Sequence, residues 1–378
     1  MDLGLTEIQQ MLKTSAQDFL SRECPLTLVR EMEEDPRGYT DELWRQMVGL
    51  GWTGVVFPEQ YGGTGGNFSD LGVLLEEIGR SLAPAPLFST VVLGGMTVLD
   101  GGSDAQKDDL ISRICAGTMV MTMALTEASA AYEPWGIEAT ASEKGGRYEI
   151  TGTKLFVPDA GAADMILVPA RTASGQDPAN GVSLFLVPAG ADGLRINPMR
   201  SVGDERVFEV SLDKVSVPAD SVIGTVGEAW PIIERTIMRA TAAQCIQMLG
   251  GAQAVLDMTV EYAKGRTQFG RPIGTFQAVQ HHCARMATDV EGSKNIAYQA
   301  VWRLSEGLPA KREVAMAKAW IGPAYRRVCG TAHQCHGAIG FTKEHDLQLY
   351  TRRAKVHELT YGDANHYKEI ALQHVDDE

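Results

Sequence analysis

The chain has 378 residues, 44% hydrophobic and 22% charged, a balance that suits a soluble protein of two or three domains with large cores. Its net charge of −14 argues against non-specific binding to nucleic acid or anionic lipid, though not against a small anionic ligand held by local Arg and Lys. No apolar run approaches the roughly 20 residues of a membrane span, and the acidic start MDLGLTEIQQMLK lacks the basic-then-apolar plan of a signal peptide.

The first third reads as helix. TEIQQMLKTSAQDFLSREC has a Thr N-cap and apolar residues at Ile8, Met11, Leu12, Phe19 and Leu20, spaced for one helix face. YTDELWRQMVGLGW, SDLGVLLEEIGRSL and SDAQKDDLISRICAG follow, each with a capping residue at its start. The glycine-rich YGGTGGNF between them lacks the Lys-Ser/Thr of a phosphate loop. It also follows no clear strand, so a tight turn is expected.

From about Met119 short segments rich in Val, Ile, Leu and Phe take over, among them RYEITGTKLFV, DMILVPAR, VSLFLVPA and RVFEVSLDKVSVP. No helices alternate with them, which predicts an antiparallel rather than a doubly wound sheet. From Gly227 the pattern is helical again, with an apolar stripe through Ile233, Ile237, Ala240, Met248, Ala252, Val255 and Val260. The expected plan is α+β and multidomain. It has an N-terminal α-helical domain (1–118), a middle antiparallel β domain, barrel-like or a sandwich (119–226), and a C-terminal four-helix bundle (227–378).

Six cysteines, Cys24, Cys115, Cys245, Cys283, Cys329 and Cys335, are scattered with no C-x-x-C, so a reduced, cytoplasmic setting is expected. HQCH (His333 to His336) with nearby His345 fits no usual zinc spacing, and no metal is expected.

Three segments carry chemistry: ALTE (Ala124 to Glu127), YAKGRTQFGRPIGTFQAVQ (Tyr262 to Gln280) and AHQCHGAIGFTKEHDLQLYTRRAK (Ala332 to Lys355). In the second, glycines allow close backbone approach, Arg266 and Arg271 are placed to clamp a phosphate, and Phe269 and Phe276 offer flat faces. Spacing alone also fits a helix connection with surface arginines. Taken together, GRTQFGRPIGTFQAVQ and HQCHGAIGFTKEHDLQLYTRRAK, in this order and with the LTE strand, resemble the signatures of the FAD-dependent acyl-CoA dehydrogenase family over essentially the whole chain.

The resemblance implies FAD as cofactor and α,β-dehydrogenation of an acyl-CoA thioester. A carboxylate takes the α-proton and the β-hydrogen leaves as hydride to flavin N5. It implies that Arg266 and Phe269 contact the FAD pyrophosphate and adenosine across a subunit interface, and that Gln277 is a further flavin contact. Gln334 and Gly337 match the adenine-side loop given by a neighbouring subunit. Leu125 and Thr126 match strand residues beside the flavin ring, with Phe156 where a Trp usually covers it. An oligomer and electron-transfer flavoprotein as electron acceptor are the implied partners.

The same resemblance marks departures. The usual base is a Glu in an E-G-T turn, and RRAKVHELTYGDAN puts Tyr361 there, with Gly362 and Asp363 after it. The alternative site on the first bundle helix falls on Ala240. TEASAAYE puts Tyr132 where a Ser touches CoA, Pro158 replaces a flavin-facing Thr, and Ala338 replaces a Gly of the adenine loop. A phenol with a pKa of about 10 is ionised in roughly one molecule per thousand at pH 7, so Tyr361 is a weak base. Asp363 is the nearest candidate, its other reading being an N-cap for ANHYKEIALQ; Glu358 and Glu234 are further carboxylates. Three functions stay open. One is a dehydrogenase with a relocated base, at Asp363. Another is a base-less subunit whose Glu comes from a homologous chain in a heterotetramer for bulky, steroid-type acyl-CoA. The third is other flavin or CoA chemistry, such as desulfination, or CoA binding without catalysis.

Overall fold

The computed structural model describes residues 4–375. Its helices, in chain order, are α1 (Glu7–Glu23), α2 (Leu26–Glu34), α3 (Asp41–Gly49), α4 (Phe68–Ser81), α5 (Met96–Gly101), α6 (Asp104–Cys115), α7 (Trp230–Gly265), α8 (Gln277–Ser305), α9 (Lys311–His336), α10 (Leu347–Leu359) and α11 (Ala364–Gln373). The chain divides into two compact units, and helices of the N-terminal third enter both.

The helical unit comprises Phe68–Ala83 and, among the described residues, 4–30 and 241–375. α1 starts at Thr6, whose hydroxyl accepts from the Gln9 N–H at 3.2 Å while the Gln9 side chain accepts from the Thr6 N–H at 3.1 Å. This reciprocal cap satisfies two of the helix's otherwise unpaired donors. α1 packs on α4, where Lys13 lies 2.7 Å from Glu76 and 3.5 Å from Glu77. α9 is the centre of the bundle, with α8, α10 and α11 packed on it. Two adjacent glycines let α7 approach its neighbours: a Cβ on Gly250 would meet the Glu76 carbonyl oxygen at 1.9 Å, and one on Gly251 the Tyr325 hydroxyl at 2.2 Å. A short hairpin, β9 (Thr267–Gln268) and β10 (Arg271–Pro272), joins α7 to α8.

The sheet unit comprises Glu31–Asn67 and Pro84–Ala240. Its strands are β1 (Met121–Met123), β2 (Thr140–Lys144), β3 (Arg147–Pro158), β4 (Met165–Arg171), β5 (Val182–Pro188), β6 (Leu194–Met199), β7 (Val207–Pro218) and β8 (Val222–Ile223). They form one sheet in the order β6-β7-β3-β2-β4-β5-β8, with β1 on β4. Pairing is mainly antiparallel, as expected. The exceptions are β1, which runs parallel to β4, and one parallel pair between β2 and β4. β4 and β5 are almost wholly buried, which accounts for their unbroken apolar runs. β3 and β7 make a long ribbon whose register shifts twice, between Ile150 and Gly152 and between Lys154 and Val157.

The sequence pattern assigns no particular helix between α4 and α6. There Phe88–Gly95 forms a π-helical segment leading into α5. Gly94 and Gly95 would argue against a helix by propensity, but the packing requires them. A Cβ on Gly94 would meet that of Met121 at 2.5 Å, and one on Gly95 the Phe57 ring at 2.4 Å.

Candidate functional site

The second register shift of β3 shapes the strand side of the site. Phe156 sits inside it at φ 53, a conformation a bulge imposes and an aromatic residue rarely adopts. The bulge turns Phe156 outward, 53% exposed, while Lys154 and Val157 stay buried. The neighbouring Leu155 N–H donates to the Thr126 carbonyl at 2.8 Å, so the segments that carry Leu125–Thr126 and Phe156 lie side by side. Leu125 is buried and Thr126 half-buried. Pro158 lacks a hydroxyl, and its carbonyl accepts from Thr122 Oγ1 at 2.7 Å.

Beneath these residues lies an ion pair that sequence reasoning did not single out. Lys154, 0% exposed, lies 2.6 Å from Glu127, 5% exposed. Glu127 also accepts N–H groups from Glu138 at 3.1 Å and Ala139 at 3.0 Å. Burial pulls the Lys154 amine below its ordinary range, against the raising effect of Glu127. The pair locks three segments together: the LTE strand end, the start of β2 and the bulge. A signal was present, since Lys154 falls in alternation with the buried Tyr148 and Ile150. Arg171 braces the loop that carries Tyr132, donating to the carbonyls of Pro134 at 2.5 Å and Ile137 at 2.8 Å.

In the helical unit, the hairpin presents its residues outward. Arg266 and Gln277 are exposed, and Phe269, at φ 52 on the turn, is 92% exposed. Gly270 follows at φ 79, so both turn residues are left-handed and the hairpin is tight. Arg271 lies over the Phe276 ring at 4.3 Å, and Phe269 meets the same ring edge-on at 6.1 Å. Tyr262, at the end of α7, stacks on His336 at 4.4 Å and donates to its carbonyl at 3.4 Å. That contact joins the hairpin to the end of α9, where Gln334 and Gly337 are both exposed. Gly337 is left-handed at φ 67, with open space where a side chain would begin. Exposed cationic, aromatic and glycine positions on a braced frame fit the pyrophosphate and adenosine of a flavin dinucleotide.

The frame itself contains a histidine cluster. His333 stacks on Phe341 at 4.4 Å, and His336 meets His345 at 4.9 Å. His336 Nδ1 pairs with the Ala332 carbonyl, and His333 Nε2 with Thr351. Buried His333 Nδ1 and His336 Nε2 find no hydrogen-bond partner among the described residues. Burial, then neighbouring imidazoles, lowers the pKa of both. The folded chain therefore binds fewer protons than the unfolded one once pH drops below the ordinary histidine value of about 6.5, and stability falls as pH drops through that window. His336→Phe, which keeps a ring on Tyr262, should flatten the fall of the thermal midpoint between about pH 7 and 5. An unchanged slope would mean that other groups set the acid limb.

At the turn after α10, Tyr361 is 7% exposed and left-handed at φ 61, followed by Gly362 at φ 108. A Cβ on Gly362 would meet the His366 ring at 2.6 Å, so this position requires glycine. Asp363 caps α11, its Oδ1 accepting from the N–H groups of Asn365 at 3.0 Å and His366 at 2.9 Å. Glu358 is held by Arg326 and Lys355, each at 3.2 Å. Ala240 is fully buried, and Arg239 before it pairs with Asp100 at 2.6 Å.

Models of the acyl-CoA dehydrogenase N-terminal, middle and C-terminal domains match residues 6–118, 122–215 and 227–375. The short-chain-specific acyl-CoA dehydrogenase of Megasphaera elsdenii is 31% identical over 96% of both chains. A chain of the ChsE4–ChsE5 complex from Mycobacterium tuberculosis is 29% identical with a TM-score of 0.90, covering 100% of both chains. A variant of the Tcur3481–Tcur3483 steroid ACAD is 29% identical with a TM-score of 0.87, covering 100% of this chain and 99% of that one. Among the described residues, no helix is long and apolar enough to cross a membrane.

Proposed function

The chain belongs to the acyl-CoA dehydrogenase family, and from that premise we propose that it is the base-less subunit of a two-chain acyl-CoA dehydrogenase. A homologous partner chain supplies the catalytic glutamate. Membership makes the protein an FAD-linked oxidoreductase acting on a CH–CH group. The finer reading rests on one observation: the positions where the family carries its base hold Tyr361 and Ala240, while Asp363 and Glu358, the carboxylates nearest Tyr361 in the chain, are engaged elsewhere. Asp363 caps a helix, and Glu358 is held between two cations.

FAD, when bound, accepts the β-hydrogen of the acyl chain with its electron pair. The chain's own residues bind and orient it. Leu125, Thr126 and Phe156 would line the flavin ring, with Phe156 presented by its bulge. Arg266 and Phe269, with Gln334 and Gly337 of the adenine-side loop, would hold the pyrophosphate and adenosine of a neighbouring subunit's flavin, and Gln277 would be a further flavin contact. Their outward placement on a rigid hairpin and loop supports this. A buried tyrosine at the base position leaves the α-proton without a carboxylate from this chain, so the partner must take it. Electron-transfer flavoprotein would be the electron acceptor of the assembly.

Similarity to a chain of a two-component complex and to a steroid ACAD supports a heteromeric assembly and a bulky acyl group. Native mass spectrometry after co-expression with a glutamate-bearing homologue tests the assembly. The expected species contains both chains with FAD. A stable complex of this chain alone, unchanged by the homologue, would contradict it.

A further inference from the structure

One face of α9 forms a seat for the end of α10. Its residues Lys318, Gly322 and Arg326 are spaced by four, so they lie one above the other. Lys318 is 1% exposed. Its ammonium donates to the His357 carbonyl in the last turn of α10 and to Gln244 Oε1 of α7 at 3.2 Å. One turn on, Gly322 lies under Glu358: a Cβ there would meet Glu358 Cγ at 3.3 Å. One turn further, Arg326 pairs with the Glu358 carboxylate. Two consecutive residues of α10 are thus gripped, one through its carbonyl and one through its side chain.

The base-position turn comes directly after α10. The Thr360 N–H closes on Val356 O at 3.0 Å and the Gly362 N–H on Leu359 O at 3.1 Å, and Tyr361 turns left-handed between them. A helix C-terminus leaves carbonyls without partners, and a buried cation there satisfies one of them and complements the helix dipole. A lysine is rarely buried completely without a function or an ion pair. Here its direct partners are a carbonyl and an amide.

We propose that Lys318 is a positioning residue: it pins the end of α10 and thereby sets Tyr361 in the acyl-CoA site. This rests on the reading of the Tyr361 turn as the base-position loop. Burial holds the Lys318 amine down at about 8, opposed by its electrostatic interactions with Cys245 on α7, Glu358 on α10 and Asp363 at the start of α11. Its charge state therefore changes within the working pH range of many enzymes, and the grip on His357 weakens as the proton leaves.

The test uses the FAD-loaded full chain in assembly with its glutamate-bearing partner. Lys318→Met, Lys318→Arg and Gln244→Leu are compared by hydrogen exchange and by titration of the flavin spectrum with octanoyl-CoA and with a steroid-type acyl-CoA. In Lys318→Met, amides from Leu359 to Asp363 should exchange at least roughly tenfold faster, and acyl-CoA affinity should fall by a similar factor. Strand amides of the sheet unit should not change. Lys318→Arg should restore part of both effects, and Gln244→Leu, which leaves the lysine in place, should show a smaller change in the same direction. Unchanged exchange in that turn, or faster exchange with unchanged affinity, overturns the proposal. A parent assembly whose flavin spectrum ignores every acyl-CoA overturns the functional reading instead, and the exchange arm still decides whether Lys318 sets the turn.

Discussion

Lys154→Met should lower the free energy of unfolding by about 3–5 kcal/mol, the usual result of breaking a buried ion pair from one side. The lysine is 0% exposed, and its removal leaves the Glu127 carboxylate in a site that water does not reach freely. The N–H groups of Glu138 and Ala139 remain as partners for Glu127, so the lower half of that range is expected. The double variant Lys154→Met/Glu127→Gln removes both charges and keeps an acceptor for those N–H groups. It should recover most of the loss, because a neutral replacement of a buried pair is often tolerated. Urea and thermal unfolding read both effects. FAD content should fall in the single variant, since the pair fixes Thr126 and the Phe156 bulge. A single variant within about 1 kcal/mol of the parent would show that the pair does not hold these segments.

Asp363→Asn should leave the rate of flavin reduction by acyl-CoA in the proposed two-chain assembly within about twofold, because asparagine caps a helix as well as aspartate does. Replacing the partner's glutamate by glutamine should lower the same rate by about 10²–10⁴, the usual contribution of a general base. Asp363→Ala should instead act on stability, at about 0.5–2 kcal/mol for a lost cap, with little effect on the chemical step. If Asp363→Asn abolishes reduction while the partner variant does not, Asp363 is the base and the chain needs no partner for that step.

Much of the architecture could be read from local signals. Thr6 and Ser103 announce α1 and α6, and both form the reciprocal caps that their i+3 glutamines allow. The change from period 3.6 to short apolar strands marked the sheet, and the return of the stripe at Ile233 marked α7. The π-helical segment and α5 were missed because Gly94 and Gly95 are there for the space they leave, which only their packed neighbours reveal.

The site was legible as motifs but not as geometry. The GRTQFGRP and HQCHGAIGF segments could be picked out, yet the Tyr262–His336 stack that ties them together spans 74 residues of chain. The positive φ of Phe156 arises from how β3 pairs with β7, more than 50 residues away, and no local pattern encodes it. Lys154 stood in phase with the buried face of its strand, but a lysine is by default read as exposed. Asp363 had two readings in the sequence, base or cap, and its two backbone partners are those of the cap.

The most direct test of the account is anaerobic titration of the FAD-loaded chain with acyl-CoA thioesters, from short linear acyl groups to steroid-type ones, followed at the flavin absorbance. A base-less subunit should show no bleaching by any of them on its own, and bleaching once a glutamate-bearing homologous chain is added. Bleaching of the lone chain, abolished by Asp363→Asn, would contradict it.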